Sequence, residues 1–351
     1  MLDNTTRTAA HKRSKVMRAD RRTFLTAAMA TGAAATLVAV QPTQAAAATA
    51  APPGTPSRAE LAKMINDLEK RVVALASGAQ PYAPAMGATT GSISEWPALE
   101  TAVGTLLARR SFESGFVADF RASRAFPDVA AGRWSWWSFK INGDYRGFTS
   151  GAWDARIVSL LATIPAGHRT TIIMQHEPEN DSGIVAADWR AAQARLGTLV
   201  AAAGRPELDV SFVLMDWTFN PQSGRRPQDW YDSAMSNAGV KVCGLDPYQP
   251  YGFLGGTQWV DWAAQAAHFT PVVKAWGCTM ALTEYACAEF PGQPDRKANW
   301  YRDVYNWAVT NKVSALHTFN YAAGFGLRGD HVITSSENSR VEYAREGALA
   351  A

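Results

Sequence analysis

Three stretches in the middle of the chain decide its fold: Thr170-Thr-Ile-Ile-Met-Gln-His176, then Ala186–Ala203, then Asp209-Val-Ser-Phe-Val-Leu-Met215. The first and third are short runs rich in apolar and β-branched residues with little polar alternation, as in a strand covered on both faces. The second is amphipathic and long enough for several helical turns. A strand, a helix and a strand with brief connections form a βαβ unit, whose two strands run parallel.

The same alternation extends in both directions. Strands are predicted near Ala83–Thr89, Gly115–Arg121, Trp134–Lys140, Thr170–His176, Asp209–Met215, Val240–Leu245, Met280–Glu284 and Ala315–Asn320. Helices fall over Trp96–Leu107, Asp154–Thr163, Ala186–Ala203, Trp259–Ala275 and Arg296–Thr310, while the second connection, Ser123–Gly132, is too short and Pro-broken to be a good helix. Eight such units from about Pro81 to Gly326 fit the roughly 250 residues of an α/β, (β/α)8 TIM barrel. A doubly wound sheet would place a Gly-rich phosphate turn after its first strand, and none is present.

The chain has 351 residues, 47% of them hydrophobic and 19% charged, enough apolar material for a large core. Its formal charge of +3 misleads, because Met1–Thr26 carries seven Lys/Arg and two Asp/Glu, leaving 27 basic against 29 acidic residues elsewhere. A nucleic-acid partner is therefore not expected. Three cysteines, Cys243, Cys278 and Cys287, match no usual zinc spacing and allow one bridge at most, with Cys243 and Cys278 the conceivable pair.

Residues 1–47 read as an export signal of the twin-arginine type. Arg21-Arg22 precedes the uncharged, Ala-rich run Phe24–Val40, and small residues follow at Ala45-Ala46-Ala47. That run is too short and too weakly apolar for a stable span, so the mature protein is expected to be secreted, without stable membrane insertion. Residues 48–80 follow as a linker and a short amphipathic helix. Ser57-Arg-Ala-Glu60 opens the helix as a capping box, and Leu61, Ile65, Leu68, Val72 and Leu75 form its apolar seam. Two heptads are too few to dimerise the chain, which is expected to be a monomer. The barrel domain takes residues 81–351.

In a barrel of this kind, chemistry gathers where strands end and the following loops begin. The fourth strand runs into His176-Glu177-Pro-Glu179-Asn-Asp181, and the seventh into Glu284-Tyr285-Ala-Cys287. The ends of strands 4 and 7 lie across the mouth from each other, so Glu177 and Glu284 can face one another over a bound sugar. Glycoside hydrolysis with retention needs two carboxyl groups about 5–5.5 Å apart, and with inversion about 6.5–9.5 Å. Glu177, crowded by Glu179 and Asp181, suits the proton donor; Glu284 suits the nucleophile, with Tyr248 after strand 6 placed to orient it.

At these residues the sequence resembles glycoside hydrolase clan A, and within it the family 26 branch of β-mannanases and related β-glycanases. His176-Glu177 looks like that family's acid/base pair, Thr283-Glu284-Tyr285 like its nucleophile segment, and Asp246-Pro247-Tyr248 like its strand-6 Asp-x-Tyr. The resemblance covers about Pro81 to Gly326. It implies a retaining endo-β-glycosidase acting on a polysaccharide or oligosaccharide of mannan or glucan type, with no cofactor and no metal, and with His176, Asp246 and Tyr248 among the substrate-binding residues. Two features of the family's mannanases are missing. Asn180-Asp-Ser-Gly183 stands where an aromatic-rich run follows the acid/base, and Phe319-Asn-Tyr321 stands where a Trp follows strand 8.

The remaining candidates come from residue type. Sugars present apolar C–H faces that suit aromatic platforms, which singles out Trp217 after strand 5, Trp137 near the end of strand 3, and Tyr321. Arg121 and Lys140 are placed to bind hydroxyls or to form surface ion pairs, and His317 to bind substrate or to sit buried. Cys287 lacks the basic context that activates a thiol. Two other classes fit the same sequence: a carbohydrate-binding barrel without catalysis, and an exported surface protein that oligomerises through the Leu61–Leu75 helix.

Overall fold

The computed structural model describes residues 82–321 and 331–350, so the expected export segment 1–47 and the expected linker and helix of 48–80 lie outside the described residues. Eight parallel strands close a barrel in chain order: β1 Ala85–Thr89, β2 Ala108–Phe112, β3 Trp134–Phe139, β4 Thr170–Met174, β5 Leu208–Met215, β6 Val242–Asp246, β7 Thr279–Tyr285 and β8 Ala315–Phe319. The barrel shuts where β1 pairs with β8, from Ala85↔Ala315 to Thr89↔Phe319. Around it lie α1 Trp96–Val103, α2 Pro127–Ala131, α3 Tyr145–Thr149, α4 Asp154–Thr163, α5 Ala186–Ala202, α6 Ser233–Asn237, α7 Trp262–Ala275, α8 Arg296–Asn311 and α9 Glu337–Ala350. None of the described helices is long and apolar enough to cross a membrane.

The TIM barrel expected from the alternation is present, and seven strands fall where the sequence puts them. The second does not. Gly115–Arg121 is loop and turn, and the strand is Ala108-Arg-Arg-Ser-Phe112. Two adjacent arginines argue against a buried strand on hydropathy, yet alternation sends them to opposite faces. Arg109 points outward to Asp128, with Nε donating over 2.6 Å, and Arg110 is buried among the carboxylates described below. The apolar side chains that mimic a strand at 115–121 serve as a cover instead. Phe116 packs edge-on against Phe139 and Trp153 at 5.6 and 5.2 Å. As a result Arg121 sits at no strand end; it is an exposed residue paired with Asp119. The first helix is also shorter than expected, stopping at Val103 because Gly104 takes a positive φ of 90°.

Inside the barrel, Ala108, Trp134, Trp136, Ile173, Val213, Ala281 and Ala315 form an apolar layer. Two strand glycines admit close approaches that a side chain would block. A Cβ on Gly87 would lie 2.5 Å from the Ala108 carbonyl oxygen, and one on Gly244 would lie 2.7 Å from a Val213 methyl. A larger cluster fills the space between strands and helices, including Trp137, Trp189, Trp262 and Trp300. The C-terminal helix α9 joins this shell: the Tyr343 hydroxyl donates to the Gly87 carbonyl, and Arg340 Nη1 donates to the Ala102 carbonyl over 2.8 Å.

Candidate active site

Two local departures from regular strand geometry bring the carboxylates together. At the end of β4, Gln175 and Glu177 have φ values of 56° and 47°, a left-handed conformation that non-glycine residues rarely hold. The turn is fixed on several sides. The Glu177 N–H donates to the Val213 carbonyl over 3.0 Å, and Gln193 Nε2 donates to the Met174 carbonyl over 2.6 Å. Glu179 accepts from the Met215 N–H at 2.6 Å and the Thr218 hydroxyl at 2.9 Å, tying the turn to β5; burial lifts this carboxyl to about 7.

In β7 the device is a bulge. Leu282 pairs with Leu316 and Tyr285 with Thr318, so three steps along β7 match two along β8. The bulge lets two consecutive side chains serve one cluster. Thr283 donates to Asp246, and Glu284 accepts from the Tyr248 hydroxyl at 2.5 Å. Tyr285 then turns outward, where its ring lies 6.1 Å from Trp300 and 5.5 Å from Tyr301.

One carboxylate oxygen each from Glu177, Asp246 and Glu284 lie within 4.8 Å of one another. Arg110 is 1% exposed and is the positive charge that acts on all three. Its Nη1 donates to the Ser111 carbonyl over 3.2 Å, while Nε and Nη2 have no partner. Burial holds all three carboxyls above their ordinary range. Asp246 is raised well above the usual carboxylate range by burial and by the negative charges of both glutamates. Glu284 is pushed up to about 8 by burial and by Glu177, while Arg110 and the Tyr248 hydroxyl pull it down. Glu177 is raised by burial and eased by hydrogen bonds from Asn180, at 3.2 Å, and Asp246.

So compact a set titrates as a unit. When Glu177 holds a proton its repulsion of Glu284 disappears, and the remaining negative charge rests best on Glu284, where Tyr248 donates to it. Glu284 is 5% exposed whereas Glu177 is only half-buried, so Glu177 is the member able to exchange its proton with solvent.

The site's surroundings are aromatic. Tyr248 stacks on Phe253 at 4.4 Å, Phe319 stacks on Tyr321 at 4.4 Å, and Tyr248 meets Phe319 edge-on. His176 sits beside this group, 5.0 Å from the Phe112 ring and with Nδ1 3.2 Å from the Ser138 hydroxyl. Burial, then Arg110 and Lys140, hold its pKa well below the usual value, so it is neutral and adds no charge beside Glu177.

The structure thus brings Glu177, Glu284, Asp246, Tyr248 and His176 together, with Tyr321 half-exposed alongside. Trp217 stands 45% exposed on the turn after β5. Trp137 is a correction. It is fully buried on the outer side of β3, edge-on to Phe120 with its Nε1 donating to Glu113, and has no face for a ligand. Lys140 pairs with Asp181 at 3.4 Å. His317 is buried against Trp136 with Nδ1 3.2 Å from the Leu282 carbonyl, and burial lowers it to about 3. Cys287 is buried, and Cys243 and Cys278 are free thiols. Sequence reasoning missed Arg110, Phe112 and Phe253; for Arg110 the available signal was the pair Arg109-Arg110 following apolar Leu106-Leu107.

No protein-family model matches the chain, and no curated protein matches it by sequence. Among solved structures it is similar to the glycoside hydrolase family 26 domain of an endo-β-mannanase/endo-β-glucanase from Prevotella bryantii, at 9% identity and a TM-score of 0.47, covering 76% of this chain and 89% of that one. It is also similar to a family 128 endo-β-1,3-glucanase from Amycolatopsis mediterranei in complex with laminaritriose, at 17% identity and a TM-score of 0.44, covering 75% and 99%. A family 5 xyloglucanase from Paenibacillus pabuli is a third, at 12% identity and 0.47, covering 77% and 99%.

Proposed function

We propose that the protein is an exported retaining endo-β-glycosidase that cleaves a β-linked polysaccharide with a mannan or glucan backbone, acting as a monomer. One observation carries this reading: an oxygen of Glu177 and an oxygen of Glu284 lie within 4.8 Å of each other, closer to the carboxyl spacing of about 5–5.5 Å used in double displacement than to the roughly 6.5–9.5 Å of inversion. Glu284 attacks the anomeric carbon while Glu177 protonates the departing glycosidic oxygen, giving a covalent glycosyl ester on Glu284. Glu177, now ionised, takes a proton from water as that water attacks the same carbon, and Glu284 leaves as carboxylate.

Each neighbour has a part in this scheme. Asp246, which accepts from Thr283, stands against both glutamates, and Arg110 balances the negative charge that passes between them. Tyr248 holds Glu284 in line for attack. The aromatic surfaces of Tyr321 and Trp217 support sugar rings on either side of the cleaved bond. Twin-arginine export carries proteins already folded, in keeping with cysteines left as thiols.

The test is proton NMR of freshly released products on a panel of β-mannan, β-1,3-glucan, mixed-linkage glucan and xylan. The expected result is hydrolysis of one polymer with the new reducing end first appearing as the β anomer. Initial release of the α anomer, or hydrolysis that persists in Glu284→Ala, would overturn the reading.

A further inference from the structure

Between the ends of β1 and β2, on the side of the site where Arg110, Phe112 and Tyr321 stand, lies a cavity of about 320 Å³. That is room for a small ligand or a sugar unit with its substituent. Thr90, Ser111 and Arg124 complete the part of its lining that matters here. Two of these groups are buried and unsatisfied. The Ser111 hydroxyl and the Nε and Nη2 of Arg110 have no hydrogen-bond partner, at exposures of 4% and 1%. Leaving a buried donor unmade costs about 1–3 kcal/mol, so the floor of the cavity is built to receive acceptor oxygens.

The charged side chains of the cavity's own lining have one sign: three arginines and no carboxylate, with Glu95 and Glu113 outside it. Arg109 is committed to Asp128 and to the Arg124 carbonyl. Arg124 is not: its guanidinium is 68% exposed at the rim, and its nearest carboxylate, Glu113, is 3.9 Å away and already accepts from the Arg124 N–H and from Trp137 Nε1.

We propose that this cavity takes an oxyanion substituent, a carboxylate or a sulfate ester, carried by the sugar unit bound next to the bond that is cleaved. The substrate is then an acidic β-glycan rather than a plain mannan or glucan. This inference rests on the glycosidase reading for the meaning of the neighbouring site. It adds that the cavity selects the substrate by charge. Arg124 meets the anion at the rim, where solvent screens it, and Arg110 and Ser111 donate from below.

The experiment uses the full chain and three β-glucan oligosaccharides of equal length: neutral, bearing one glucuronic acid, and bearing one sulfate. Binding is measured by calorimetry in the Glu284→Gln protein, which removes turnover, and hydrolysis in the native protein. One acidic ligand is expected to bind about tenfold tighter than the neutral one at low salt, with the advantage shrinking in 0.5 M NaCl. Arg124→Gln should reduce the advantage to below about threefold, and Arg124→Lys should restore part of it. Whichever acidic arm wins identifies the source of the oxyanion. A neutral ligand that binds as well as either acidic one, or an advantage unchanged in both Arg124→Gln and Ser111→Ala, would overturn the inference. Hydrolysis of the neutral arm with no acidic preference would leave the glycosidase standing without this cavity's role. Selective binding with no hydrolysis in any arm would do the reverse.

Discussion

The barrel interior holds two layers built on the same strands but with opposite physical character. The lower layer, from Ala108 to Ala315, is apolar and packed around Trp136, and each side chain there lowers its free energy by leaving water. The upper layer places Arg110, Asp246 and Glu284 in similar burial, with Glu177 half-buried beside them, and desolvation opposes every charge there. On β2, Ala108 and Arg110 are two residues apart and belong one to each layer. The lower layer makes the fold stable enough to tolerate the upper one.

Substitutions should separate the layers by what they damage. Glu284→Ala is expected to reduce turnover by about 10⁴-fold or more while the circular dichroism spectrum stays native. Glu177→Ala should cost about 10²- to 10⁴-fold on substrates with poor leaving groups and far less on activated aryl glycosides, as read from kcat/KM on both. Equal losses on the two substrate types would remove Glu177 from the proton-donor role. In the lower layer, Trp136→Ala should cost about 3–5 kcal/mol in urea denaturation, with per-molecule activity of the folded fraction largely kept.

Smaller effects sharpen the contrast. Arg110→Gln removes the charge that pulls Glu284 and Glu177 down, so both carboxyls rise and the acidic limb of the kcat/KM profile moves up by about one pH unit. A limb that stays in place would mean Arg110 does not act on the pair. Glu284→Gln should do to stability the opposite of what it does to activity. The two glutamates titrate as a unit, with Glu284 pushed up to about 8 against an ordinary 4.5, so the native pair keeps a proton that the unfolded chain has lost; the stability this gives is complete below about pH 4.5 and is lost as pH rises toward 8. Gln cannot ionise. The variant should therefore match the native protein at pH 4.5 and exceed it by roughly a few kcal/mol at pH 8.

The sequence made different parts of these layers legible to different degrees. Strand and helix alternation was readable because parallel strands covered on both faces leave unmixed apolar runs, as in Thr170–Met174. β2 escaped because its two arginines satisfy themselves only through partners distant in sequence: Asp128 on α2 for one, and carboxylates from β4, β6 and β7 for the other. Glu177, Tyr248 and Glu284 were singled out from position, since strand ends converge at the mouth, and Asp246 from the resemblance to family 26; the structure brings the four together. Trp137 was misplaced for a related reason. In Trp134-Ser-Trp-Trp-Ser-Phe139, neighbouring tryptophans necessarily face opposite ways, and composition does not say which of them faces inward.

The bulge in β7 carries a consequence for how such a site can be lost or gained. Removing Thr283, the one residue between Leu282 and Glu284, would bring β7 back into step with β8, and the carboxylate would take the inward place that Thr283 now holds, one step below the mouth and away from the Tyr248 hydroxyl. A reading-frame-preserving loss of three nucleotides could thus silence the reaction, and their reinsertion restore it, without any exchange of one amino acid for another.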